Sequence, residues 1–293
     1  MKKALIQLHL AVFLAGFTGI FGKLITLNEG MLVWYRLLFT VIILYFLFRF
    51  KGILKKLPFK DIVPIGLTGI VIVLHWLFFY ASIKYSNVSI GVVCFALTGL
   101  FTAGLDPLIN RYRLDKIELL LSGLTLFGIF LIFHFDTQYR TGIILGVISS
   151  LFAALFTIFN KRLISRFDTP TITFYELTVG FFFLTLMLPL YLHFFPQPLR
   201  LPATSDLICL IILAWACTVW LYMLQMNALT KVSAFTVNLT FNLEPVYSII
   251  LAFILFHENR ELTAAFYIGL ACILLSVVLQ MVRVTRNMRT TKA

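Results

Sequence analysis

The sequence predicts an all-α polytopic membrane protein: ten transmembrane helices forming two inverted five-helix repeats, with both termini on the cytoplasmic side. Three observations carry that prediction. Apolar residues make up 61% of the chain and charged residues 12%, against about half and about a quarter in soluble domains. Apolar runs of about 20 residues, each able to cross roughly 30 Å of bilayer hydrocarbon, recur from one end to the other. Basic residues gather on alternate links between those runs, the pattern of the positive-inside rule.

Met1-Lys2-Lys3 precedes an apolar run to about Thr26. That run is too long for a signal-peptide core and has no small-x-small cleavage site, so it reads as an uncleaved first span. Further spans are expected at 30–49, 62–82, 87–110, 117–135, 141–163, 171–193, 206–228, 232–256 and 263–283. The longest link, near His193 to Asp206, carries Pro196, Pro198 and Pro202 and reads as an ordered extracytoplasmic turn.

With the N-terminus cytoplasmic, that side collects Lys2, Lys3, Arg49, Lys51, Lys55, Lys56, Lys60, Arg111, Arg113, Lys116, Lys161, Arg162, Arg166, Lys231, Arg283, Arg286, Arg289 and Lys292. The opposite side keeps Lys84, Arg140, Arg200 and Arg260. One missed span would scramble this asymmetry. The net charge of +12 then needs no partner beyond the lipid bilayer and its anionic inner leaflet. No basic tract with interleaved aromatics points to nucleic acid. Cys94, Cys209, Cys217 and Cys272 lie inside apolar runs, so no disulfide framework is expected.

The chain also repeats, dividing into a first unit over 1–137 and a second over 138–293. FTGIFGKLI (17–25) matches LFTIFNKRLI (155–164), with Lys23 answering Lys161. LVWYRLLFTVIILYF (32–46) matches ITFYELTVGFFFLTL (172–186), so Arg36 answers Glu176. YASIKYSNVSIGVV (80–93) matches MNALTKVSAFTVNL (226–239), and the region of Gly123 answers Gly269. Five spans per half is an odd number, so the second copy sits upside down relative to the first. Inverted repeats are the mark of a transporter, because exchanging the two halves' conformations moves access from one side to the other.

The ninth span, from Ser233 to Glu258, places Glu244-Pro245 at its middle. Pro245 frees a backbone acceptor and bends the helix. Glu244 is costly in lipid, so it should face protein or a water-filled cavity. Asn238 and Asn242, four residues apart, fall on one face of an ideal helix.

These residues bring the chain close to a known family. It resembles the drug/metabolite transporter superfamily, EamA type, over nearly its whole length. The carriers are Gly19 to Lys23, Tyr35-Arg36, FYASIKYSNVS (79–89), and LEPVYSIILAFILFHENREL (243–262) with Gly269 beyond. The first copy departs where it has Thr98-Gly99 in place of a proline, and Arg111-Tyr112-Arg113 in place of Gly-Glu. The resemblance implies a ten-helix carrier of small metabolites, often amino acids or their derivatives. It further implies a cavity lined by spans 1, 3, 4, 6, 8 and 9, with spans 5 and 10 peripheral.

Depth arithmetic puts Arg36 and Glu176 roughly 12 Å apart across the membrane, too far for one ion pair. Each is expected to have its own partner, Arg36 with Glu258 and Glu176 with Arg111, as outer and inner latches; Lys23 and Lys161 sit near enough to join or compete. Candidate substrate contacts are Gly16, Thr18, Gly22, His75, Trp76, Phe79, Tyr80, Thr98, Asn160, Trp220, Tyr222, Gln225, Asn238 and Asn242. Aromatic walls with scattered amides suit a small, partly apolar zwitterion, more readily an exported one. Glu244 suits a proton carrier by its depth, with Asp106 and His75 as further candidates; proton coupling and facilitated diffusion stay open.

No cofactor or metal is expected, and no enzyme: HExxH, GxSxG and paired intramembrane aspartates are absent from the sequence. A channel for small polar solutes or drugs is the alternative. The expected location is the bacterial cytoplasmic membrane. Gly142 and Gly146 permit a close helix contact, leaving monomer and homodimer both open.

Overall fold

The computed structural model describes residues 2–135, 137–195, 201–260 and 262–290. Pro196, Pro198, Arg200 and Lys292 lie outside the described residues, so the proline-rich turn stays an expectation. All regular structure among the described residues is helical, with no strand. The helices are α1 (Lys2–Ala15), α2 (Thr18–Leu24), α3 (Glu29–Phe50), α4 (Phe59–Lys84), α5 (Val88–Phe95), α6 (Leu97–Asn110) and α7 (Lys116–Phe135). The second half supplies α8 (Arg140–Leu163), α9 (Thr169–Phe194), α10 (Thr204–Ala214), α11 (Leu221–Leu229), α12 (Ala234–Phe241), α13 (Glu244–Phe256) and α14 (Ala264–Thr290). A π-helical turn, Trp215–Trp220, joins α10 to α11. Seven described segments are long and apolar enough to cross a membrane, and the apolar stretches Leu119–His134, Glu244–Phe256 and Ala264–Ser276 are shorter.

Four expected spans are not straight helices. The first breaks at Gly16-Phe17, the fourth at Ala96, the eighth carries the π-turn, and the ninth breaks at Asn242-Leu243. Glu244-Pro245 therefore starts a new helix, where proline's missing N–H costs nothing.

The two halves share irregularities as well as pattern. Asn87 and Ser233, matched in the repeat, both cap the next helix, accepting from the N–H of Ile90 at 2.9 Å and of Thr236 at 3.0 Å. In the same register Ala96 answers Asn242, and helices break at both. Arg111 answers His257, and these are the non-glycine residues with positive φ among those described, at 57° and 56°. A left-handed residue other than glycine costs roughly 1–2 kcal/mol, so its recurrence at matched positions marks a shared backbone design.

Counterpart helices cross antiparallel. Tyr191 near the end of α9 donates to Glu29 at the start of α3 (2.7 Å), and Trp34 Nε1 donates to Thr185 (3.0 Å). Between α7 and α14, Thr125 bonds Ser276 at 2.6 Å, Gly128 lies against Gly269, and Asp115 pairs with Arg283. Between α6 and α12, Asn238 Nδ2 donates to Thr102 (2.8 Å). Gly142 and Gly146 press onto Ser82, Ser86 and Cys94 of the same chain, so that close-contact motif is used internally.

The bundle has two distinct ends. At one, Glu258 is fully buried and accepts from Lys23 (2.9 Å), the N–H groups of Val88 and Ser89 (3.0 and 2.9 Å) and Ser89 Oγ (2.7 Å). Asp206 there accepts from the N–H and hydroxyl of Thr26 (3.0 and 2.7 Å). At the other end Lys55 pairs with Asp168, Arg162 bonds Asn110 (2.7 Å), and Lys161 donates to the carbonyls of Leu229 and Val232 (2.7 and 2.6 Å). Arg111, at that end of α6, is exposed.

The α7–α14 crossing has no room for a side chain, since a Cβ on either Gly128 or Gly269 would strike the other's carbonyl. Gly269→Leu is expected to cost about 1–3 kcal/mol by overpacking, lowering the thermal unfolding midpoint in detergent. Gly104→Leu, into open space, should leave it near the wild-type value.

Candidate functional site

The breaks surround a cavity of about 70 Å³ near mid-bundle. Its wall comes from α1 and α2 (Ala15, Thr18), α3 (Arg36), α4 (Ile72, His75, Trp76, Phe79) and α5 (Phe95). The second half adds Ala153, Phe156 and Thr157 of α8, Cys217, Thr218, Leu221, Tyr222 and Gln225 around the π-turn, and Asn238, Phe241 and Glu244 of the broken ninth span.

Arg36 is 3% exposed and has no carboxylate partner among the described residues. Its guanidinium lies over the Trp76 ring at 3.9 Å. Nε donates to Thr218 Oγ1 (2.8 Å), Nη1 to the Tyr80 hydroxyl (2.8 Å) and Nη2 to the Cys217 carbonyl (3.1 Å). The π-turn makes this seat possible. A regular helix commits each carbonyl to the residue four ahead, whereas here Thr218 turns its hydroxyl back to the Leu213 carbonyl (2.7 Å) and Cys217 keeps an acceptor for Arg36. A guanidinium has five N–H donors and these contacts use three, so two remain for a ligand.

Glu244 lines the same cavity from the first turn of α13 and is 4% exposed. The Thr18 hydroxyl reaches it at 3.5 Å, a long contact. Arg36 and Glu244 thus share one wall without forming an ion pair. Opposite charges held apart in a buried hollow are an arrangement a dipolar ligand would complete.

His75 Nδ1 lies 3.1 Å from the Ser149 carbonyl and 2.8 Å from Ser149 Oγ, so one residue of α8 fixes the orientation of the ring. Ser149 Oγ in turn donates to the His75 carbonyl (3.0 Å). Asn238 Oδ1 accepts from Thr157 (2.8 Å) while its amide reaches Thr102, tying α12 to α8 and α6.

Of the candidate contacts read from the sequence, Thr18, His75, Trp76, Phe79, Tyr222, Gln225 and Asn238 line the cavity, with Arg36 and Glu244. Tyr80 stands behind Arg36, and Gly22 stands behind Tyr80, whose ring occupies the space a Cβ would need. Gly16 receives Tyr247, Thr98 bonds the Phe95 carbonyl (2.7 Å), and Asn160 is buried beside Glu176. Trp220 is 55% exposed, turned away from the bundle. Asn242 does not share a face with Asn238, because the helix breaks between them; it fills the gap left by Gly99.

Neither expected latch pair is formed among the described residues. Arg36 binds Tyr80, Thr218 and Cys217, and Glu258 binds Lys23 and the start of α5. Glu176 accepts from the Tyr222 hydroxyl, while Arg111 ends α6 at the surface. Asp106 accepts from Asn110 outside the cavity, and Lys161 holds loop carbonyls. Depth alone paired these charges; nearer partners took them, neutral acceptors for Arg36, the Tyr222 hydroxyl for Glu176 and Lys23 for Glu258. Cys217 and Thr218 were missed, since a π-turn leaves no mark in the sequence; Thr157 was missed because a lone threonine in an apolar helix usually bonds its own backbone, as it also does here to the Ala153 carbonyl (3.1 Å).

The apolar frame of the cavity is two-fold. In the repeat register Ala15 answers Ala153, Trp76 answers Tyr222, Phe79 answers Gln225 and Phe95 answers Phe241, and both members of each pair line the wall. The charges break the symmetry. Glu244 answers Thr98, and Arg36 answers Glu176, neither of which reaches the cavity.

A family model for the EamA-like transporter family matches residues 2–134 and again 140–282. The chain belongs to that family, within the drug/metabolite transporter superfamily, and is an integral multi-pass membrane protein. No curated protein matches. One solved crystal structure is similar at a TM-score of 0.68 and 15% identity, covering 94% of this chain and 96% of its own; it bears on the fold alone.

Thr218→Val should strip one acceptor from the buried guanidinium and remove the hydroxyl bond to the Leu213 carbonyl. A loss of about 1–3 kcal/mol is expected, read as a lower thermal midpoint. Arg36→Lys, which has no planar fork, should not restore ligand-induced stabilisation.

Proposed function

We propose that this chain is a secondary carrier that moves a small, partly apolar zwitterion, an amino acid or close relative, by alternating access. The observation that carries the reading is the cavity in which Arg36 and Glu244 face one hollow without pairing. A substrate carboxylate takes the two free donors of Arg36, its ammonium takes Glu244, and the His75 ring adds a further polar contact. Trp76, Phe79 and Phe156 give the apolar part a surface to stack on.

In this reading the chain has ten spans in two inverted units, 1–137 and 138–293, with both termini cytoplasmic in a bacterial inner membrane. The basic links support that orientation. The Glu258 end is then the outer end, and its buried carboxylate with Lys23 and the start of α5 forms a closed outer gate. Glu244 is the group that couples substrate to a proton, since binding an ammonium and binding a proton there exclude one another.

Purified protein screened against amino acids should show ligand-induced thermal stabilisation, and reconstituted protein should then move those hits. Glu244→Gln is expected to reduce net flux driven by a pH gradient by at least about tenfold, a loss of roughly 1.4 kcal/mol of coupling. Flux that ignores pH, with a silent Glu244→Gln, would make the carboxylate structural.

A further inference from the structure

Glu176 is the counterpart of Arg36 in sequence, and the surroundings of the two are counterparts as well. Arg36 lies on Trp76, and Glu176 accepts from Tyr222, the residue that answers Trp76. Both charges sit about seven residues inside a helix end, at opposite ends of the bundle. Yet one lines the cavity and the other is sealed behind its wall, at 0% exposure.

The seal is tight. Gly69 of α4 packs against the main-chain carbonyl of Glu176, and Asn160 of α8, itself 0% exposed, lies beside the carboxyl. Of the ionisable groups on α3, α4 and α11, the helices packed against α9, Tyr222 alone interacts with the carboxyl. Arg36 and Lys161, the cations nearest in the chain's design, are engaged elsewhere. Glu176 Oε1 has no donor within hydrogen-bonding distance. A carboxyl sealed from water and from every cation is held as the neutral acid.

We propose that Glu176 is a proton-binding site of the carrier, exposed alternately with Arg36. While the outer gate is closed, Arg36 lines the cavity and Glu176 keeps its proton behind Tyr222. When the two halves exchange conformations, their matched residues exchange environments. Glu176 then joins the wall and gives its proton to cavity water, leaving a carboxylate that still accepts from Tyr222. Arg36 withdraws into the counterpart seal. The cavity therefore loses a fixed cation and gains a fixed carboxylate between states, which helps release a substrate carboxylate on the side opposite to that where it bound. This rests on the alternating-access reading, and it adds a second acid to the one that faces the substrate.

The test is thiol labelling in membrane vesicles with a membrane-impermeant methanethiosulfonate, in a chain freed of its four native cysteines. Ala153→Cys reports the cavity itself, and should be labelled from one side with the Glu258 gate intact and from the other after Glu258→Gln. If its sidedness never changes, the carrier reading fails. Glu176→Cys should be protected with the gate intact and react at least about tenfold faster after Glu258→Gln, the response of a shifted two-state equilibrium. Arg36→Cys should do the reverse. Ala153→Cys switching sides while Glu176→Cys stays protected, or rises together with Arg36→Cys, overturns this proposal alone. Infrared spectra of the native-cysteine protein supply a check independent of the cysteine variants. Glu176→Gln should remove a protonated-carboxyl band that Tyr222→Phe shifts, and a spectrum without that loss overturns the proposal too.

Discussion

Burying an arginine without a carboxylate is the constraint around which this molecule is arranged. A guanidinium at this depth is expensive unless its donors are satisfied. Here the satisfaction is neutral: a hydroxyl from α11's approach, a phenol from α4, a freed main-chain carbonyl and the face of an indole. Each supplier imposes a further requirement. The carbonyl requires the π-turn, the phenol requires Gly22 to leave space for the Tyr80 ring, and the indole fixes the register of α4 against α3. Because none of these partners cancels the charge, Arg36 stays available to an anion entering the hollow.

The helix breaks follow from the same economy of polar groups. Irregular backbone is tolerated at membrane depth only where protein or a cavity covers it. The interruptions at Phe17, Ala96, Trp215–Trp220 and Asn242 all adjoin the central cavity or its wall. The break in the ninth span does most for the chemistry. It sets Glu244 in the first turn of α13, where the N-terminal end of the helix dipole favours a negative charge.

Much of the architecture was legible because the bilayer permits few solutions. Length and hydropathy located the apolar segments, and matched polar positions disclosed the repeat. About half of the candidate contacts read from the sequence line the cavity, because polar and aromatic residues in mid-span have few other uses. Charge pairing was not. Arg36 and Glu258 share an end of the bundle, but side-chain reach and the local supply of neutral acceptors decide a partner, and neither is visible as depth. Trp220 and Asn242 failed for a second reason: an ideal helical wheel is wrong wherever a π-turn or a break rotates the following residues. The roles of Thr218 and Cys217 depend wholly on that rotation.

The central claim is that a two-fold apolar frame carries one-sided charges and reverses its access. Pulsed electron resonance distances between spin labels test it most directly. One pair would stand at Tyr85 and Asn259, exposed at the Glu258 end, and another at Arg113 and Lys231, exposed at the opposite end. Opening the gate with Glu258→Gln should lengthen the first distance and shorten the second in the same population. Distances that lengthen together, or a second pair that never responds, would contradict an exchange between inverted halves.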